Sequence, residues 1–283
     1  MNKVAIVTDS TAYLPQSCID QYYIQVTPLS VIWGGEIYRD GVDIQPAQFY
    51  ERLPRAKVMP TTSQVTPAAM LESFQPLLDR GYDVLGVFIS SKISGTVQSA
   101  IQARAMLNGN AQRVAIVDSL STTMAMGWPV LTAARAAQAG ENLAECQKIA
   151  EQACKNSGVL FVVETLEFLR RGGRIGGAQA FLGTVLNIKP VLEMRDGRIE
   201  AVEKIRTKQK AIRHVVDLVT DRLSSRTPVR LAVTHANAEA DASLMLNTAQ
   251  SAMDPVETML CPLSPVIGTH AGPGTVALNY MIG

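Results

Sequence analysis

Short β-branched runs alternate with amphipathic stretches along the first half of the chain. KVAIVT (3–8) is an apolar run of strand length. Residues 24–32 and 36–39 read as two short strands turning at Gly34-Gly35. Thr66-Pro67 opens a helix, with Thr66 as N-cap and proline at the first helical position. Met70, Leu71, Phe74, Leu77 and Leu78 form its apolar face at the helical period. A strand at 83–89, a helix at 95–108, a strand at 113–117 and a helix at 123–139 follow. Asn142 with Glu145 is a capping pair for a helix running to about residue 156.

The texture then changes. VLFVV (159–163) is a strand, and LEFLRRGGRIGG a short helix ended by paired glycines. Residues 188–194 and 198–205 flank Asp196-Gly197, a two-residue hairpin signal. A helix (207–224), a strand (229–234), a helix (238–252) and a strand (256–261) complete the pattern. The expectation is an α/β protein of two domains. Residues 1–156 form a parallel doubly wound sheet, and residues 157–283 an α+β domain with a mainly antiparallel sheet.

Composition narrows the function classes. With 47% apolar and 18% charged residues among 283, the chain buries a core and is not disordered. Aromatic residues at 5% argue against a stacking platform for nucleic acid, and a net charge of +1 gives no general pull towards DNA or an anionic membrane. Cys18, Cys146, Cys154 and Cys261 form no C-x-x-C pair, which reads as buried thiols in a reducing compartment. The longest apolar run, Val159 to Val163, is far short of a membrane span, and MNKVAIVTDS lacks the pattern of a signal peptide. A cytoplasmic protein without a membrane segment is expected.

Nucleotide, hydrolase and zinc signatures are missing from the chain, and its three histidines have no second ligand at metal spacing. Neither a metal nor a cofactor is expected. Hydroxyl-rich loops stand out instead: Thr8-Asp9-Ser10-Thr11, Thr61-Thr62-Ser63-Gln64, Ser90 to Thr96, and Asp118 to Thr123. Three of them follow strands and converge on the carboxyl edge of a parallel sheet, where ligands bind. Hydroxyls and free N–H groups suit an anion, a carboxylate as well as a phosphate. Capping alone explains each cluster taken singly. Ser94-Gly95-Thr96 is the strongest candidate, because glycine lets backbone approach a ligand.

Two further features bear on function. Between residues 165 and 213, eleven Lys/Arg face five acids, the profile of a solvated face or of a surface for an acidic or phosphoryl partner. Arg170, Arg171 and Arg174 around Gly172-Gly173 are its sharpest subset. His270 lies in Gly268-Thr269-His270-Ala271-Gly272-Pro273-Gly274-Thr275, which reads as an exposed glycine-rich loop at a cleft.

TDSTAYLP, PTTSQ, SSKISGT, ETLEFLRRGGRI and GTHAGPG occur in order over nearly the whole chain. Together they resemble the DegV family, the fatty-acid-binding (FakB-type) subunits of bacterial fatty acid kinase. The resemblance implies one long-chain fatty acid, of the palmitate or oleate class, held in a channel between two domains. It implies that Thr62 and Ser94 bind the carboxyl group, with Thr61 and Ser63 as alternatives in the first loop, Gly95 and Thr96 beside Ser94, and His270 nearby. It assigns Arg170, Arg171 and Arg174 to a surface facing a separate ATP-dependent kinase, which forms the acyl-phosphate. On this reading the chain is a monomeric carrier, not an enzyme. Phe181, Leu182, Val185, Leu186, Ile188 and Val191 are candidates for the acyl channel or for ordinary core. The competing readings are a stand-alone hydrolase or phosphotransferase using Ser94 and His270, and a regulatory module sensing an anionic metabolite.

Overall fold

The computed structural model describes residues 2–183, 188–224 and 226–283. In chain order its elements are β1 (Val4–Asp9), α1 (Gln16–Tyr22), β2 (Gln25–Thr27), β3 (Ser30–Trp33), β4 (Glu36–Arg39), α2 (Pro46–Arg52), β5 (Thr61–Ser63), α3 (Pro67–Asp79), β6 (Asp83–Phe88), α4 (Thr96–Ala105), β7 (Val114–Asp118), α5 (Thr123–Gln138), α6 (Leu143–Lys155), β8 (Ser157–Val162), α7 (Glu167–Arg171), β9 (Lys189–Arg195), β10 (Arg198–Ile205), α8 (Lys208–Leu223), β11 (Val229–His235), α9 (Glu239–Met253), β12 (Glu257–Pro262), α10 (Pro265–Ala271) and β13 (Val276–Ile282).

Among the described residues the strands form three sheets. One is parallel, in the order β2-β1-β6-β7; a small antiparallel sheet runs β4-β3-β5; the third has six strands, β10-β9-β8-β13-β11-β12. In the six-stranded sheet every neighbouring pair is antiparallel except β11–β12. The parallel sheet uses only residues before 156 and the six-stranded sheet only residues after it, giving the two-domain α/β fold the pattern predicts.

The local chemistry accounts for much of this. Thr66 Oγ1 accepts the Ala69 N–H at 3.2 Å, and Asn142 Oδ1 accepts the Glu145 N–H at 3.1 Å, so both predicted caps form. Asp196 and Gly197 have φ of +50° and +81°, the two positive values a type I′ hairpin requires. Helix α5 is apolar nearly all round and packs on β1 on one side and on β8 and β13 on the other. An all-apolar helix needs such double cover.

Strand alternation sorts the six-stranded sheet into two faces. Leu160 and Val162 of β8, with Val191 of β9, join the core under α8 and α9. Val159, Phe161 and Val163 join a second cluster with Ala125 of α5, Leu192 and Ala277. This second face looks towards the parallel sheet.

Several elements differ from expectation. Residues 24–32 split at Pro28: β2 pairs with β1, while β3 leaves for the small sheet. The TTSQ segment is a strand, β5, paired with β3. GTHAGPG is no open loop, since its first four residues are the end of α10, capped by Ser264 with Pro265 first. Helices α1 and α2 and strand β13 were not predicted by periodicity.

Candidate ligand-binding site

A cavity of about 260 Å³ lies between the carboxyl edge of the parallel sheet and the inner face of the six-stranded sheet. Its apolar wall includes Ile89 and Ile93 after β6, Val159 and Phe161 of β8, and Leu263 and Val266 beside or in α10. Its polar wall gathers Thr62, Ser63, Gln64, Ser94, Gly95, Arg174 and His270. Four separate sequence motifs therefore meet in a cavity whose remaining lining is mostly apolar, Thr122, Thr123 and Thr275 apart.

The geometry at that end is specific. Thr62 Oγ1 and His270 Nε2 are 2.8 Å apart. His270 Nδ1 is buried against Gly172 and has no partner. A buried orphan N–H costs more than a bare lone pair, which favours the tautomer with the proton on Nε2. His270 then donates to Thr62, leaving the Thr62 hydroxyl proton for a ligand. Burial, with the nearby Arg174 cation, pushes the His270 imidazole down to about 4, so it is neutral at physiological pH. Ser94 Oγ accepts the Thr96 N–H at 3.3 Å and lies 2.9 Å from Thr96 Oγ1. If Thr96 donates, the Ser94 proton is also free. Gly95 leaves room for the side-chain amide of Gln64, which a Cβ there would displace. That amide donates to Ser99 Oγ at 3.2 Å and buttresses the floor.

Not every predicted residue reaches the wall. Thr96 is fully buried behind Ser94 and supports it. Ser63 lines the cavity, its hydroxyl donating to the Gln64 carbonyl at 3.3 Å. Arg174, grouped with a partner-facing surface from sequence, is exposed and also lines the cavity. Its Nε donates to the Ile93 carbonyl at 3.1 Å and its Nη1 to the Gly172 carbonyl at 2.6 Å. Arg170 and Arg171 are exposed, and both pair with Glu167 at 2.8 and 2.6 Å. The basic excess of 165–213 is partly neutralised from outside that stretch, by Glu164 on Lys189 and Lys208 and by Asp241 on Lys208. Beside the cavity a groove is lined by Lys92, Arg174 and Arg198 and shares Ser94 and Gly95 with it.

The described residues of the proposed apolar stretch do not line the wall. Val191 is core under α8, Leu182 is exposed, and Phe181 lies beneath Lys204, whose Nζ is 4.7 Å from the ring centre. Ile188 is half-buried and also absent from the wall, and Val185 and Leu186 lie outside the described residues. The six-stranded sheet contributes Val159 and Phe161 of β8, Met194 of β9 and Ile199 of β10 to the wall, while Val191 sits on the opposite pleat of β9. Periodicity located the strands but not which face met empty space.

The first hydroxyl cluster is structural. Asp9 Oδ1 accepts the Thr11 N–H (2.9 Å) and hydroxyl (2.5 Å), and Oδ2 accepts the Ile89 N–H (2.8 Å). Asp118 accepts the Ser91 and Leu120 N–H groups at 3.2 and 3.0 Å. A hydrolytic Ser94–His270 pair is not assembled: Ser94 engages Thr96, while His270 engages Thr62. Among the described residues no three His, Cys, Asp or Glu side chains gather to hold a metal, and no helix is long and apolar enough to cross a membrane. The four cysteines are free.

Comparison with known proteins agrees with the motifs. A DegV domain-containing protein of Halalkalibacterium halodurans is 38% identical over 283 residues, spanning 100% of this chain and 99% of that one. A fatty acid binding DegV family protein from Thermus thermophilus superposes with a TM-score of 0.93 at 36% identity, covering 99% of this chain and 100% of its own. DegV, a fatty acid binding protein from Bacillus subtilis, gives a TM-score of 0.90 at 33% identity, with both chains fully covered. The family model described as "Uncharacterised protein, DegV family" matches residues 3–282, and the chain belongs to the DegV family.

Proposed function

We propose that this chain holds one long-chain fatty acid in the cavity between its domains, taken as residues 1–156 and 157–283, and presents the carboxyl group to a separate ATP-dependent kinase for acyl-phosphate formation. The observation that carries the reading is the meeting of Thr62, Ser94 and Arg174 at one end of an apolar cavity. Burying an acyl chain there stabilises the complex by about 0.8 kcal/mol per CH₂. A carboxylate removed from water needs donors or a cation. The Thr62 and Ser94 hydroxyls are the donors, and Arg174 is the nearby cation. Ligands of the Thermus and Bacillus relatives support the same class.

In this reading the groove beside the cavity, with Lys92, Arg174 and Arg198, is the side from which the phosphoryl donor approaches, and Arg170 and Arg171 face the partner. The carrier itself performs no chemistry. Free cysteines suit a reducing, cytoplasmic setting. The test is native mass spectrometry of freshly purified protein followed by organic extraction. One free fatty acid per chain is the expected result. An empty protein that also fails to take up palmitate or oleate would overturn it.

A further inference from the structure

Helix α5 begins at the cavity, and both Thr122 and Thr123 line it. Thr122 holds the N-cap position, where a threonine side chain normally accepts an N–H of the first turn. Here it caps nothing. The Ala125 N–H, third in the helix, donates instead to Asn279 Oδ1 at 3.1 Å. Asn279 is wholly buried in β13. Its Nδ2 donates to the Ala232 carbonyl at 3.1 Å and to the Thr234 hydroxyl at 3.3 Å, which fixes Oδ1 towards α5. The Thr123 hydroxyl lies 2.5 Å from the same Oδ1 and 2.6 Å from the Thr122 carbonyl. The six-stranded sheet therefore caps the helix, and the fold has no use for the Thr122 hydroxyl.

Thr122 is 8% exposed, and its Oγ1 has no hydrogen-bond partner. A hydroxyl shut away from water is costly unless something bonds it. No bond fixes its rotamer, so a turn about χ1 exchanges hydroxyl and methyl at the cavity wall. This place is set apart from the carboxyl end. Asn279 lies four residues of chain beyond Thr275, whose hydroxyl donates to the Ala271 carbonyl at 3.0 Å, next to His270. At about 3.3 Å per residue that is roughly 13 Å. Among the described lining residues the one cation is Arg174, held by the Ile93 and Gly172 carbonyls beside the Ser94 loop. Thr122 and Thr123 bring no charge. Their surroundings suit a neutral group that can both donate and accept, as a hydroxyl does.

We propose that Thr122 is a specificity-determining residue: its hydroxyl forms a neutral polar subsite part-way along the acyl cavity and bonds a hydroxyl carried on the chain of a hydroxy fatty acid. The proposal rests on the acyl-binding reading and adds a substrate class to it, monohydroxy long-chain acids beside plain ones. A plain chain leaves the Thr122 hydroxyl unpaired. A ligand hydroxyl at the matching carbon pairs with it, and one at another carbon is buried without a partner against side chains such as Ile89, Phe161 or Val266.

The experiment is calorimetry of the full chain with stearate and with monohydroxystearates whose hydroxyl moves along successive carbons, in wild type and Thr122→Val. In the wild type one position, or two neighbouring ones, is expected to bind at least as tightly as stearate, and the others about tenfold more weakly. Thr122→Val removes the hydroxyl and keeps the branched shape. The favoured isomer should then weaken about two- to tenfold while stearate holds or tightens. Thr122→Ser keeps a hydroxyl and should keep the preference. A merely structural Thr122 would move all these ligands together. A wild-type series penalised alike at every position would leave water as the partner of Thr122 and overturn the proposal, whether or not the variants fold. A favoured isomer whose advantage survives Thr122→Val would overturn it too. Stearate binding with a flat series defeats this proposal alone, whereas a wild type that binds neither stearate nor any hydroxy acid defeats the acyl reading beneath it.

Discussion

Two sets of hydroxyl-rich residues, one following β1 and one drawn from β5 and the loop after β6, behave differently. Thr8-Asp9-Ser10-Thr11 is closed on itself: Asp9 is wholly buried and spends both oxygens on Thr11 and Ile89, and Ser10 spends its proton on Asp40. Thr62 and Ser94 are half-buried in the cavity wall, and with His270 donating to Thr62 and Thr96 donating to Ser94 each keeps a hydroxyl proton for a ligand. Composition makes the two alike; hydrogen-bond accounting separates them. A fully satisfied cluster builds the fold, and a partly satisfied one at a cavity is available to a ligand.

The sharpest way to break this contrast is at Asp9. Asp9→Ala strips partners from the Thr11 and Ile89 N–H groups and is expected to cost about 3 kcal/mol in chemical denaturation. A loss below about 1 kcal/mol would mean that the first cluster is not structural. Gly172→Ala addresses the other side, because its Cβ would overlap His270 Nδ1 and displace the imidazole from Thr62. Palmitate affinity, read by calorimetry, should drop about tenfold, with little change in stability.

Acidification sharpens the contrast further. The His270 imidazole is held down near 4 by burial, so between about 6.5 and 4 the unfolded chain binds a proton that the folded chain refuses. Stability contributed by this group is complete above about 6.5 and is lost as pH falls through that window. The thermal midpoint of His270→Gln should fall less than that of the wild type over the same range. The smallest effect belongs to the exposed arginines. Arg170→Ala and Arg171→Ala each remove one surface pair with Glu167, so stability should change by less than about 0.5 kcal/mol and fatty acid affinity should hold. If these arginines face a kinase as proposed, phosphorylation in a coupled kinase assay should slow.

The sequence made the parallel sheet legible because β1 and β6 are buried runs, and because Thr66-Pro67, Asn142 and Asp196-Gly197 carry turn and cap chemistry in a few residues. Helix α10 was hidden by the glycines around His270. Gly268 fits inside that helix because the Tyr50 hydroxyl occupies the space a side chain would need. Ser264-Pro265 repeats the cap-and-proline signature of Thr66-Pro67, the one signal that would have revealed it. That the exposed Arg174 also reaches the cavity was not legible, because local spacing does not show that the Gly172 and Ile93 carbonyls hold its guanidinium there. The cavity wall was beyond periodicity altogether, since it depends on which pleat of β8 and β9 meets the parallel sheet.

The most direct test of carboxyl recognition is palmitate affinity in the Thr62→Val/Ser94→Ala double variant, alongside circular dichroism and thermal melting. With two donors to a buried carboxylate removed, affinity should fall at least tenfold while the melting profile stays near wild type. Unchanged affinity in a folded double variant would contradict the assignment of the carboxyl group to this end of the cavity.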